Sequence, residues 1–147
     1  MTTTLGTPME ELDASECWAL LRDGKVGRLA IAIAGHPDIF PINYVVDERH
    51  DQGQSIVFRT APGTKLAGAV LGRSVAFEID GYEPERGVAW SVVVKGTAHE
   101  IEQMYDYVAA QDLPLFPWHA APKPDFVRIQ PELVTGRRFT VVGQEAG

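Results

Sequence analysis

Between positions 26 and 60, three runs of β-favouring residues follow one another with only a few turn residues between them. That spacing settles most of what this chain can fold into. Residues 26–34 read as a strand, Gly35-His36-Pro37-Asp38 as a turn, and 39–47 as the return strand of a hairpin. Residues 48–53 form a polar turn and 54–60 a third strand. Parallel pairing needs a crossover of a dozen or more residues, and no such length is available here. Further on, 73–80 alternate with Val75, Phe77 and Ile79 on one face, 81–87 form a loop containing Pro84, and 88–101 make a long strand. Residues 126–130 and 137–142 read as two closing strands separated by a turn around Pro131 and Gly136. Six or so antiparallel strands with short connections specify a small β-barrel, and closure removes the open edges. No Gly-x-Gly-x-x-Gly follows the first strand, which argues against a dinucleotide-binding parallel sheet.

Helices are few. Asp13 or Ser15 caps a first helix with Cys17, Leu20 and Leu21 on one face, Trp18 at its edge and Gly24 at its end. A short helix over 64–71 and another over 101–111 are predicted. Residues 113–124 hold four prolines and read as an irregular surface loop. The 147 residues make one domain, with 1–10 a flexible N-terminus and 143–147 a flexible tail.

The net charge of −7, without any basic run, argues against a nucleic-acid surface. Cys17 is the single cysteine, so no internal disulfide exists, and it reads as a buried apolar residue and not a catalytic thiol. Neither a signal peptide nor a membrane-spanning segment is visible, and a cytoplasmic protein is expected. His36, His50, His99 and His119 stand in no metal-ligand spacing, so no metal site is assigned. With no nucleophile elbow and no acid–base pair standing out, no catalytic residue is nominated.

Against this acidic background, Phe58-Arg59-Thr60-Ala61-Pro62-Gly63-Thr64-Lys65-Leu66 concentrates a guanidinium, an ammonium and two hydroxyls about a Pro-Gly turn. Arg offers a planar fork to a phosphate, Lys a mobile charge and Thr a hydroxyl donor. A helix beginning near Thr64 would aim its free N–H groups at the same spot. The nine residues equally suit an ordinary strand–turn–helix junction with solvated charges. Pro41-Ile42-Asn43-Tyr44, Trp90-Ser91 and Arg137-Arg138 add an amide, a phenol, an indole and more charge. Tyr44 and Trp90 taken singly read as core aromatics with polar tips. Together with the cradle, an apolar slot beside a phosphate site is the more economical reading, which is the shape of a flavin-type cofactor.

The order Val26-Gly27-Arg28-Leu29-Ala30, Pro41-Ile42-Asn43-Tyr44, Phe58-Arg59-Thr60-x-x-Gly63-Thr64-Lys65-Leu66 resembles the pyridoxamine 5′-phosphate oxidase-like family. It continues through Val75-Ala76-Phe77-Glu78-Ile79-Asp80, Trp90-Ser91-Val92-Val93-Val94-x-Gly96 and Thr135-Gly136-Arg137-Arg138. The resemblance implies a split β-barrel holding FMN at the interface of a homodimer. By position, Arg59, Thr64 and Lys65 would hold the phosphate, and Phe58 and Thr60 would lie by the ribityl chain or ring. Pro41, Ile42, Asn43 and Tyr44 would line the isoalloxazine, with Trp90 and Ser91 approaching from the second subunit. Genuine oxidases carry an Arg-x-His pair near the C-terminus, whereas Arg137-Arg138-Phe139-Thr140 has no histidine. The resemblance therefore points to flavin and deazaflavin reductases, not to vitamin interconversion. The implied activity is hydride transfer between a reduced flavin and a small organic acceptor. The deazaflavin coenzyme of actinobacteria is the alternative to FMN, with Arg28, Arg73 and Arg137 as candidates for its acidic tail. The rival reading is a non-catalytic module that stores or senses flavin, deazaflavin or haem.

Overall fold

The computed structural model describes residues 9–48, 53–60, 70–101 and 125–141. Its first hairpin shows why the turn is tighter than the sequence suggests. Ala34 and Gly35 both take positive φ, 51° and 81°, the pattern of a two-residue turn whose twist matches the flanking strands. Ile33 consequently pairs with His36, and Pro37 and Asp38 belong to the return strand. These strands are β2 (Val26–Ile33) and β3 (His36–Asp47), preceded by β1 (Met9–Leu12) and α1 (Ala14–Asp23). They are followed by β4 (Ser55–Thr60), β5 (Ser74–Glu83), β6 (Val88–Glu100) and β7 (Asp125–Thr140).

All pairings are antiparallel, in the order β1-β7-β4-β3-β2-β5-β6, and β6 also pairs with β7, closing six strands into a ring. The first half of β7 serves β4 on one side, and its second half serves β1. The chain is thus a mainly antiparallel β protein of the split-barrel type, with one short helix among the described residues.

The two closing strands expected near the C-terminus are one. Residues 125–140 run without a turn, and the register shifts between Lys95 and Gly96 so that Gly96 faces Pro131 while Lys95 faces Leu133. Pro131 lacks an N–H for the ladder, and a bulge is where a strand tolerates that. Gly136 is a close-approach position: a Cβ there would stand 2.6 Å from the Cys17 sulfur, so its absence lets α1 pack on β7. The loop expected over 81–87 shrinks to the four residues between β5 and β6, and Met9 and Glu10 extend the sheet as part of β1 instead of belonging to a flexible end. The expected helices over 64–71 and 101–111 and the loop over 113–124 fall largely or wholly outside the described residues.

Helix α1 begins as anticipated at Asp13, whose carboxylate accepts from the Glu16 N–H at 2.9 Å while the Glu16 carboxylate accepts from the Asp13 N–H at 3.3 Å. It buries Cys17 and Leu21 against a barrel interior that includes Leu29, Ile56, Phe58, Phe77, Val92, Val94 and Ile129. Each large side chain so buried contributes about 1.5–3 kcal/mol. Burial also pushes the Cys17 thiol pKa up, in keeping with a core role.

Candidate functional site

Strand alternation divides β3 and β4 into two faces. Ile42, Tyr44, Ile56 and Phe58 join the main core, whereas Val45 and Val57 join a second cluster with Ile101 and Phe126 on the outside of the barrel. Asn43 shares the face of Val45, and Arg59 shares that of Val57. Tyr44 faces Phe58 across the ladder, so Asn43 and Arg59 are the next positions out on adjacent strands. Arg59 in turn pairs with Phe126 of β7, and its guanidinium carbon stands 5.8 Å from the centre of the Phe126 ring. Among the described residues no carboxylate is paired with Arg59.

Asn43 is 8% exposed, and neither its amide nitrogen nor its amide oxygen has a hydrogen-bond partner. Thr60, 5% exposed at the end of β4, has an unpartnered hydroxyl. A buried polar atom left unpaired costs about 1–3 kcal/mol, and three of them gather where β4 leads into residues 61–69. Polar groups kept at that cost are aimed at something the chain itself does not supply.

The remaining expected site residues divide clearly. Pro41 is exposed, opposite Arg28 of β2. Ile42 and Phe58 point into the core, so only their backbone is available to a ligand. Tyr44 is also inside: its hydroxyl donates to the Leu21 carbonyl at 2.7 Å, and its ring meets Phe77 edge-on at 4.8 Å. Burial pushes its pKa up to about 12, so it stays a neutral donor. It fastens the last turn of α1, whose carbonyls lack helical partners, to the barrel. Tyr44→Phe is expected to lower stability by about 0.5–1.5 kcal/mol, read as an earlier urea midpoint, without changing ligand affinity. Thr64 and Lys65 lie outside the described residues.

Trp90 and Ser91 form a separate group. Trp90 faces Arg138 and packs on the main core, and Ser91 faces both Asp80 and Arg137. They lie on β6, three strand spacings from β3, roughly 14 Å round the barrel wall. Among the described residues no hydrogen bond links them to Asn43 or Arg59. Of the extra arginines, Arg28 is engaged by Glu78 at 2.8 Å and Asp80 at 3.1 Å, while Arg73 and Arg137 are exposed. Arg138 lies 3.3 Å from Glu10 and 3.6 Å from Glu16. Desolvation and the neighbouring Asp80 push the Glu78 carboxyl pKa up. Sequence reasoning missed Phe126 beneath Arg59, since only strand pairing brings two residues so far apart in the chain together.

A closed antiparallel barrel with unsatisfied polar groups at one end of its wall defines a split-barrel protein with a ligand site on its outer face. The chain belongs to the pyridoxamine 5′-phosphate oxidase family, whose model matches residues 13–138. A solved structure from Mycobacterium smegmatis, described as an FAD-binding protein, is 40% identical, with a TM-score of 0.79 over 89% of this chain and 98% of that one. A Mesorhizobium loti structure, also described as FAD-binding, is 25% identical with a TM-score of 0.70, covering 91% of this chain and 100% of that one. An uncharacterised protein of Mycobacterium tuberculosis is 34% identical over 129 residues, 88% of this chain and 84% of its own length. Among the described residues no helix is long and apolar enough to cross a membrane, and no group of three His, Cys, Asp or Glu could hold a metal ion.

Proposed function

We propose that the protein binds a phosphate-bearing flavin on the outer face of β3 and β4, and that as a homodimer it passes hydride between the reduced cofactor and a small organic acceptor. The observation that carries this reading is the set of partnerless buried groups, the Asn43 amide and the Thr60 hydroxyl, beside the half-buried guanidinium of Arg59. These residues fit a flavin: a cation for the phosphate, a hydroxyl for its polar chain, and an amide for the ring. Similarity to two proteins described as FAD-binding supports the same cofactor class. The flavin, when bound, supplies the redox chemistry. The chain's own residues bind and orient it, with Arg59 joined by Thr64 and Lys65 at the phosphate.

A second copy of the chain completes the site. Tyr82, Ala89, Phe139 and Met9 form one cross-strand row on the outside of the barrel, and three of its members are exposed large apolar residues. Ile39 and Leu133, 62% and 53% exposed, extend the outer surface that a partner would cover. Pairing two barrels through this wall would carry the partner's β6, with Trp90 and Ser91, toward the flavin.

The deciding experiment is a fluorescence titration of cofactor-free protein with FMN, FAD and the deazaflavin coenzyme, with light scattering on the same sample. Micromolar or tighter binding of at least one, to a particle of twice the monomer mass, is the expected outcome. Reoxidation of the reduced complex by quinones or unsaturated ketones then marks an enzyme, and a complex inert to every acceptor marks a storage module. If none of the three ligands binds, the flavin reading is wrong.

A further inference from the structure

Resting on the flavin reading, we infer that Asn43 recognises the ring of the ligand by its imide edge, the adjacent C=O and N–H of a heterocycle. Both polar atoms of the Asn43 side chain are buried and without a partner, so the missing ligand atoms must include one acceptor for the amide nitrogen and one donor for the amide oxygen, side by side. A phosphate or a carboxylate offers acceptors alone and leaves the amide oxygen unpaired. An imide edge offers both at the spacing of a primary amide, and two such groups close a pair of parallel hydrogen bonds.

The backbone holds this side chain rigidly. Asn43 pairs with Val26 of β2, and its neighbours Ile42 and Tyr44 are locked into the core, the latter by its bond to Leu21. An amide fixed in this way is pre-organised for a planar partner. Arg59 on the adjacent strand leans over Phe126 of β7, the strand on the far side of β4 from β3. The two residues therefore divide the ligand: Arg59 reads the anionic end, and Asn43 the neutral heterocycle. The class so selected is that of cyclic imides, to which flavins and deazaflavins both belong. Porphyrins, whose polar edge is carboxylate, fall outside it.

The test compares FMN with its N3-methyl derivative, which keeps the phosphate and loses the ring N–H. Wild-type protein is expected to bind N3-methyl FMN about ten- to a hundredfold more weakly. Asn43→Ala should lose a similar factor for FMN and little more for the methylated analogue. Cofactor-free Asn43→Ala should melt at or above the wild-type temperature, because it removes two unsatisfied buried atoms. Equal affinity of the wild type for both ligands overturns the inference and leaves flavin binding standing. Equal weakening of both ligands by Asn43→Ala overturns it too. Failure of the wild type to bind FMN removes the flavin reading and this one with it. The wild-type comparison decides the matter even if Asn43→Ala does not fold.

Discussion

Asp47→Ala is expected to cost about 3–5 kcal/mol of stability, because it leaves Arg128 as an uncompensated charge inside the protein. The Arg128 guanidinium donates to the Asp47 carboxylate at 2.9 Å and to the Ser55 hydroxyl at 2.6 Å, and all three residues are at most 7% exposed. They tie together β3, β4 and β7, the strands that carry Asn43, Arg59 and Phe126. The loss would consume much of the stability of about 5–15 kcal/mol that a domain of this kind has. Urea unfolding should show it as a large fall in midpoint with an unchanged slope. Arg128→Leu alone should be comparably damaging. The double variant Asp47→Leu with Arg128→Leu should recover much of the loss, since a buried pair replaced by apolar residues is often neutral or better. A fall of under about 1 kcal/mol for Asp47→Ala would mean that the ion pair does not hold these strands.

What could be read from the sequence was what local chemistry controls. The helix start at Asp13 and most strand cores followed from capping residues and alternation. The unbroken β7 did not, because Pro131 and Gly136 carry turn chemistry and only their neighbours convert them, into a bulge opposite Gly96 and a contact surface for Cys17. The site divided along the same line. Arg59 and Thr60 stood out because a basic, hydroxyl-bearing turn is unusual in an acidic chain. The inward or outward direction of each β3 and β4 side chain was set by strand parity relative to the barrel, and that turned Tyr44 and Phe58 from lining residues into core. Asn43 looked ordinary in sequence; its significance is the absence of a partner, which no local pattern encodes.

Arg59→Ala should weaken the binding of FMN or FAD by about 1.5–3 kcal/mol, the range for a hydrogen bond to a charged group, or roughly ten- to a hundredfold or more. The same variant should bind riboflavin, which lacks the phosphate, as the wild type does. The reasoning starts from charge. In a chain of net charge −7 with 20 acidic residues, a half-buried guanidinium would ordinarily find a carboxylate, yet among the described residues Arg59 rests on the ring of Phe126 instead. A cation over an aromatic face keeps its N–H fork unspent and already oriented, which suits two-point contact with a phosphate. Arg59→Lys retains the charge but not the planar fork, so it should restore only part of the affinity. Raising the salt concentration should weaken wild-type FMN binding and leave Arg59→Ala less affected, because an ion-pair contact at a partly open site is screened. If Arg59→Ala lowered FMN and riboflavin affinity by the same factor, Arg59 would be supporting the fold of the site and the phosphate would have to sit elsewhere.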